Sequence, residues 1–248
     1  MTALEDETVI VTGASRGLGA SMATRFAEEG ANVVLTARSR SDLEDVSDGI
    51  DGETLVVPAD VTDEDAVRAV VDATLEQYGE LTGLVNNAAI GLLTLHDERS
   101  VLHDVATEDF RQILDVNVTG VFLFSKYAVP AMIESGGGNV LNVSSGLGRR
   151  GSATWGPYVA SKWALEGMTR TQAEELAEYG INVNAVDPGG RVATKFWDHL
   201  PDDERSEILE PDVMDDAATR LLAQGPDGVT AESMPADEWE QQLDDRTQ

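Results

Sequence analysis

Short apolar runs of strand type alternate with longer helical patterns along most of this 248-residue chain. That alternation limits the fold more than any other feature. Parallel strands cannot be joined by a tight turn, so each pair needs a crossover, and helices are the usual crossovers. Strands are predicted near 8–12, 32–36, 54–58, 83–87, 139–144 and 181–186. Helical spacing covers Leu18–Gly30 and Thr62–Gly79, each ending on glycine, and Thr62-Asp-Glu-Asp65 reads as a capping box. Thr107–Glu134 and Pro157–Tyr179 are long enough to cover a sheet, with Ser135-Gly-Gly-Gly138 and Gly180 as stops. Beyond Pro201 the period is broken by Pro201-Asp-Asp-Glu204 and the Asp-rich stretch 210–216, so short helices and a weak final strand are expected there. The reading is one α/β domain over residues 1–248, a doubly wound parallel sheet with helices on both faces.

Charge excludes whole classes of partner. The chain has 17 Lys+Arg against 46 Asp+Glu, a net charge of −29, and such a surface repels phosphate backbones and anionic lipid. No nucleic acid and no membrane partner is expected. The hydrophobic share of 42% and runs such as Val9-Ile10-Val11 argue for a packed core rather than disorder. Lysine occurs only at Lys126, Lys162 and Lys195, and the acids are spread along the chain, a pattern that resembles proteins of salt-loving organisms. With no cysteine there is no disulfide, thiolate nucleophile or Cys-ligated metal. The acidic start lacks an apolar leader and no apolar run approaches spanning length, which points to a cytoplasmic protein.

Thr12-Gly-Ala-Ser-Arg-Gly-Leu-Gly19 follows a predicted strand and opens a helix. Glycine there permits a tight turn and close backbone approach, while the helix N-terminus offers unpaired N–H groups to a pyrophosphate. The spacing is G-x-x-x-G-x-G rather than G-x-G-x-x-G. Together with Asn86-Asn-Ala-Ala89, Asn117, Ser144-Ser145, Tyr158-x-x-x-Lys162 and Pro188-Gly189, in that order, it resembles the short-chain dehydrogenase/reductase family over roughly residues 6–195. The resemblance implies a Rossmann fold, NAD(H) or NADP(H) as cofactor, a homo-oligomer (tetramer or dimer), and a cofactor seat that includes Gly13, Ser15, Gly17, Leu18 and Gly19.

NADP(H) is favoured over NAD(H). An acid after the second strand would bind the ribose hydroxyls of NAD, whereas a 2′-phosphate calls for cations. Here that place reads Thr36-Ala37-Arg38, and Arg16 is the second cation that the resemblance sets beside the phosphate. Asp42 lies too far along to serve as the ribose acid, and Ser39-x-x-Asp42 reads as a helix cap. By resemblance Asp60 and Val61 contact adenine, Asn87 and Ala88 line the cofactor, and Pro188 and Gly189 flank the nicotinamide carboxamide. Ala89 stands where the family more often has glycine.

Tyr158 and Lys162 are four apart in a helical segment and share a face. A nearby ammonium together with an oxidised nicotinamide favours the phenolate and moves proton transfer toward working pH. Ser145 at a strand end can donate to a substrate carbonyl oxygen; Ser144 competes for the role, and family spacing selects Ser145. The resemblance gives Asn117 the task of organising a water that relays protons to the lysine, and has Lys162 hydrogen-bond the nicotinamide ribose. The reaction expected is hydride transfer between nicotinamide and a small-molecule carbonyl or secondary alcohol, with 3-oxoacyl thioesters, sugars and small ketones all open.

Specificity is expected in Gly146–Gly156 and about 190–214, a stretch able to act as a lid, with Leu147, Trp155, Phe196 and Trp197 as walls. Carry-over to Thr194 is open, since one extra residue precedes it. His96, His103 and His199 lack metal-site spacing, so no metal is expected. An NAD-linked sugar or alcohol dehydrogenase of the same family, and a non-catalytic dinucleotide-binding scaffold, are the alternatives. Dense acidity makes one prediction: screening of carboxylate self-repulsion should raise the melting temperature between dilute buffer and molar KCl. Thermal unfolding followed by circular dichroism checks it, and an unchanged Tm counts against it.

Overall fold

The structure is a computed structural model, described here for residues 2–96, 98–194 and 208–247. Seven strands, β1 Thr8–Thr12, β2 Asn32–Thr36, β3 Thr54–Val56, β4 Gly83–Asn86, β5 Gly138–Val143, β6 Ile181–Asp187 and β7 Ser233–Pro235, form one sheet in the order β3-β2-β1-β4-β5-β6-β7. Every pairing is parallel. The helices are α1 Gly17–Glu28, α2 Arg40–Asp48, α3 Glu64–Tyr78, α4 Leu92–His96, α5 Thr107–Leu114, α6 Gly120–Glu134, α7 Gly156–Leu176, α8 Asp215–Leu222 and α9 Ala236–Thr247. This is the doubly wound parallel α/β sheet expected from the alternation of strand and helix patterns, in the Rossmann-type form that the resemblance implies.

Period-two alternation along each strand divides the core into two halves. Val9, Val11, Val33, Leu35, Val85 and Val186 face one way and pack with Met22 and Phe26 of α1, Leu221 of α8 and Trp239 of α9. Ile10, Val34, Leu84, Val140 and Val183 face the other way, against Val67 and Val70 of α3, Phe124 of α6 and Ala173 of α7. A strand covered on both faces must be apolar on both, which is why β1 reads as a continuous run and is buried throughout.

Several local expectations shift by small amounts. The cap of α3 is Asp63, whose carboxylate accepts from the N–H groups of Asp65 and Ala66; Thr62 instead bonds Asp60 through its backbone N–H and its hydroxyl. Ser39 does cap α2, accepting from Asp42 N. The predicted helix 107–134 is interrupted by a π-turn at Asp115–Thr119. Taken whole, residues 107–134 meet the length and apolarity of a membrane-crossing helix, but half of the relevant window is buried inside the protein, as in the core helix of an α/β domain. The Asp-rich stretch opens with a 3₁₀ turn, Pro211–Met214, and α8 follows it directly.

The C-terminal part is anchored by polar groups that a hydropathy pattern does not show. Asn139 of β5 donates to the carbonyls of Leu222 and Gln224 at 2.8 and 2.9 Å. The indole N–H of fully buried Trp239 donates to Ala185 O at 2.9 Å. These bonds hold α8 and α9 against the sheet and set β7 beside β6.

Candidate active site

Strand order reverses between β1 and β4, and a crevice opens at the carboxyl ends of strands on either side of such a point. The Thr12 hydroxyl ties the two strands together there. It donates to Val85 O at 3.2 Å and accepts from the N–H groups of Asn87 and Ala88 at 2.9 and 3.0 Å. The Asn87 amide donates back to Thr12 O at 2.8 Å and reaches Gly13 O at 3.3 Å. Gly13 (φ +66) and Gly19 cannot be replaced: an added Cβ would lie 2.9 Å from the Asn87 amide in the first case and 2.4 Å from Gly13 O in the second. The first turn of α1 has neither a capping side chain nor an acid, which leaves its N–H groups open to an anion.

A cleft of about 1440 Å³ runs along these strand ends. It is lined by Gly13, Ser15, Arg16, Gly17, Leu18 and Gly19 of the turn. Arg38, Asp60, Val61, Asn87, Ala88, Pro188 and Gly189 also line it. Burial would raise the Asp60 carboxyl, but hydrogen bonds from Thr62 and the charge of Arg38 outweigh it and hold the group below its usual value. Thr194 lies over the turn, its methyl 3.1 Å from where a Cβ on Gly17 would be. The residues present therefore fit a dinucleotide, with a glycine cradle that side chains would block and two arginines at one end.

Ser145, Tyr158 and Lys162 line the same cleft. Ser145 follows β5, and Tyr158 and Lys162 lie one turn apart on α7; the two hydroxyls are hydrogen-bonded to each other. Lys162, 3% exposed, donates to Val143 O at 2.7 Å, and its ammonium lies 5.5 Å from the centre of the Tyr158 ring. Burial pushes Tyr158 up to about 12 despite its bond from Ser145, with Asp187 adding to the rise. Burial also lowers Lys162 to about 8, against the opposing charges of Glu166 and Asp187.

Asn117 does not line the cleft. It sits in the π-turn, 1% exposed, where its Oδ1 accepts from Ile90 N at 2.8 Å and its amide donates to Ile90 O and Ser161 Oγ. Ser161 in turn donates to Tyr158 O at 2.8 Å. The asparagine thus links the loop after β4 to the helix that carries Tyr158 and Lys162.

Residues 7–205 match the family model described as short chain dehydrogenase. The chain belongs to the short-chain dehydrogenase/reductase family. It is 35% identical over 209 residues to 3-oxoacyl-[acyl-carrier-protein] reductase of Thermotoga maritima, covering 83% of this chain and 82% of the relative. Among solved structures it resembles carveol dehydrogenase from Mycobacterium avium in complex with NAD, with a TM-score of 0.87, 26% identity and coverage of 95% and 97%. A metagenomic short-chain oxidoreductase in complex with NADP gives a TM-score of 0.79 at 30% identity, with coverage of 94% and 98%. The protein is an oxidoreductase of the type that acts on CH–OH or carbonyl groups and binds a nicotinamide dinucleotide.

This dehydrogenase/reductase also holds a buried ionic cluster that the sequence reading missed. Glu166, one turn beyond Lys162, accepts from Ser144 Oγ at 2.5 Å and Ser233 Oγ at 2.8 Å. Arg149 reaches Glu166 at 3.4 Å and pairs with Asp187 at the end of β6. The four-residue spacing Tyr158, Lys162, Glu166 was the available signal. Ser144 faces this cluster, while Ser145 faces Tyr158. Of the expected specificity residues, Leu147 and Trp155 line the cleft. Phe196, Trp197 and most of the expected lid lie outside the described residues, as does His199; His96 bonds Asp109 at 2.9 Å.

Burial of Lys162 sets a pH dependence with a definite sign. Its folded value of about 8 lies below the ordinary 10.5, so between these values the unfolded chain binds the extra proton and stability rises with pH. Relative to Lys162→Met, the wild type should gain on the order of 2 kcal/mol between pH 8 and 10. Urea unfolding at both pH values measures the difference, and a constant difference rejects the assignment.

Proposed function

We propose that the protein is an NADP(H)-dependent oxidoreductase interconverting a small-molecule carbonyl and its secondary alcohol, with Tyr158 as general acid/base. The observation that carries this reading is the hydrogen bond between Ser145 and Tyr158 on the wall of the cleft that Arg16 and Arg38 also line. When bound, the nicotinamide supplies or accepts the hydride. The chain's own residues handle oxygen and proton. Ser145 donates to the substrate oxygen, stabilising the charge that develops on it. In the reductive direction Tyr158 gives its hydroxyl proton to that oxygen, and in the oxidative direction the phenolate takes the proton back. Lys162 stabilises the phenolate electrostatically, holds the nicotinamide ribose and passes on the proton; its value near 8 leaves it able to do so close to neutral pH. Asn117 is a positioning residue in this scheme and organises the relay water.

The 2′-phosphate falls to Arg16 and Arg38, neither of which forms an ion pair among the described residues. Asp60 and Val61 take the adenine, Asn87 and Ala88 the middle of the dinucleotide, and Pro188 and Gly189 the carboxamide. Residues 1–248 work as one dinucleotide-binding and catalytic domain. A cytoplasmic homo-oligomer is part of the reading, supported by Phe122 of α6 and Trp163 of α7, which expose large apolar side chains at 52% and 53%. The acidic surface supports a salt-loving source and argues against nucleic acid and anionic membrane as partners, in favour of a small-molecule substrate.

Initial rates on an alcohol and carbonyl panel at high salt, with both cofactors, test the reading. Tyr158→Phe should lower kcat by at least a thousandfold, equivalent to about 4 kcal/mol of barrier, while NADPH binding is retained. Arg38→Asp should move the kcat/KM preference from NADP toward NAD. Near-native turnover in the first variant, or a wild type that already prefers NAD, overturns the corresponding part.

A further inference from the structure

Of the chain's 17 lysines and arginines, seven line the one cleft. That concentration stands out in a protein of net charge −29. Outside the cleft, cations are largely neutralised: Arg40 pairs with Glu44, Arg68 with Asp65, Lys126 with Glu64, and Arg220 with Asp244. Inside it, Lys162 belongs to the reacting group and Arg16 and Arg38 to the cofactor end. Arg111 shares its helix face with Glu108 and Asp115, three residues before it and four after, and both acids line the cleft.

Arg191 lies where the backbone pairs with Leu209 and is not without a partner, so two arginines remain without such compensation. Arg99 and Arg150 line the cleft, are exposed, and form no ion pair among the described residues. Their place is the reacting end. The Arg99 guanidinium carbon lies 5.0 Å from the centre of the Trp155 ring, and Trp155 meets the Tyr158 ring edge-on at 5.8 Å and 62°. Arg99 is therefore one indole removed from Tyr158, and the stacking orients its charge. Arg150 lies on the loop between Ser145 and α7. Arg38 follows β2 and Ser145 follows β5, three strand spacings away in the sheet order, so about 14 Å separates the two ends. A phosphate held by Arg16 and Arg38 does not reach that far.

We propose that Arg99 and Arg150 form an anion clamp at the reacting end, so that the substrate of this oxidoreductase is a hydroxy or keto compound bearing a carboxylate or phosphate. The inference rests on the reading above and names its substrate class. A guanidinium offers paired donors to an oxyanion. An anionic substrate approaching so acidic a surface also needs a local positive field, which a cleft focuses. The acids that line the cleft, Asp42, Asp60, Glu108, Asp115 and Asp187, do not remove this field. Asp187 is paired with Arg149, Asp60 is influenced by the charge of Arg38, Glu108 and Asp115 flank Arg111, and Asp42 sits in the first turn of α2 at the cofactor end.

The test uses the full-length protein, at fixed ionic strength, with matched pairs that differ only in charge. These are 3-hydroxybutyrate and 4-hydroxycyclohexanecarboxylate, each against its methyl ester, and a hydroxyalkyl phosphate against its neutral dialkyl ester. Wild-type kcat/KM should favour the anion by about tenfold or more. In Arg99→Gln and Arg150→Gln that ratio should collapse toward one, through KM for the anion rather than kcat. Esters turned over as well as the acids, or variants that slow acid and ester equally, overturn the clamp while leaving the oxidoreductase reading intact. No turnover of any pair with either cofactor overturns that reading instead. Calorimetric titration of NADP⁺-loaded protein with the same pairs then decides the clamp, which fails if the anions bind no more tightly than the esters.

Discussion

The carboxyl ends of β1 and β4 are held together by one threonine hydroxyl and one asparagine amide. Thr12 and Asn87 satisfy backbone groups that the sheet leaves unpaired where strand order reverses. Without these bonds the loop after β4 and the glycine turn would each present orphaned donors and acceptors to the crevice. With them, the turn reaches α1 with its N–H groups facing outward, and the loop reaches Ile90, where Asn117 grips it from behind. From Asn117 the connection continues through Ser161 to the backbone of Tyr158. A short polar chain therefore couples the phosphate-binding turn to the reacting helix.

Charge is distributed against the grain of the surface. The acids solvate the outside, while the cleft gathers arginine and buries Lys162. Burying an ammonium lowers its proton affinity, and Glu166 and Asp187 only partly restore it. The neighbouring phenol moves the other way for the same reason, since low dielectric penalises whichever form carries charge. The two groups are thus driven apart on the pH scale, Tyr158 up to about 12 and Lys162 down to about 8, because burial favours the uncharged form of each.

Most of the sheet was legible because its strands are short apolar runs bounded by glycine or polar turns, and local spacing carries that signal. The glycine turn and the Tyr158–Lys162 pair were legible for the same reason: each lies within one turn or two. Asn117 was assigned to the site, yet its contacts with Ile90 and Ser161 join distant segments and no spacing rule anticipates them. The Arg149, Glu166, Asp187 cluster was missed because its members come from a loop, a helix and a strand end, each of which alone reads as an ordinary charged residue. The capping error at Thr62 reflects a simpler competition, since Asp63 accepts two backbone N–H groups and leaves Thr62 free to bond Asp60.

By itself the amino-acid order determined the local conformations, the parallel class of the sheet, the phosphate-binding turn and the acidic character of the surface. Each follows from periodicity, residue geometry or summed charge within short stretches or over the whole chain. Tertiary structure alone decided which groups converge: Ser145 on Tyr158, Asn117 behind the loop at Ile90, Arg99 on Trp155. Convergence depends on sheet order and on how helices lie over it, and those are properties of packing between remote segments, where a side chain's meaning comes from neighbours it does not have in sequence.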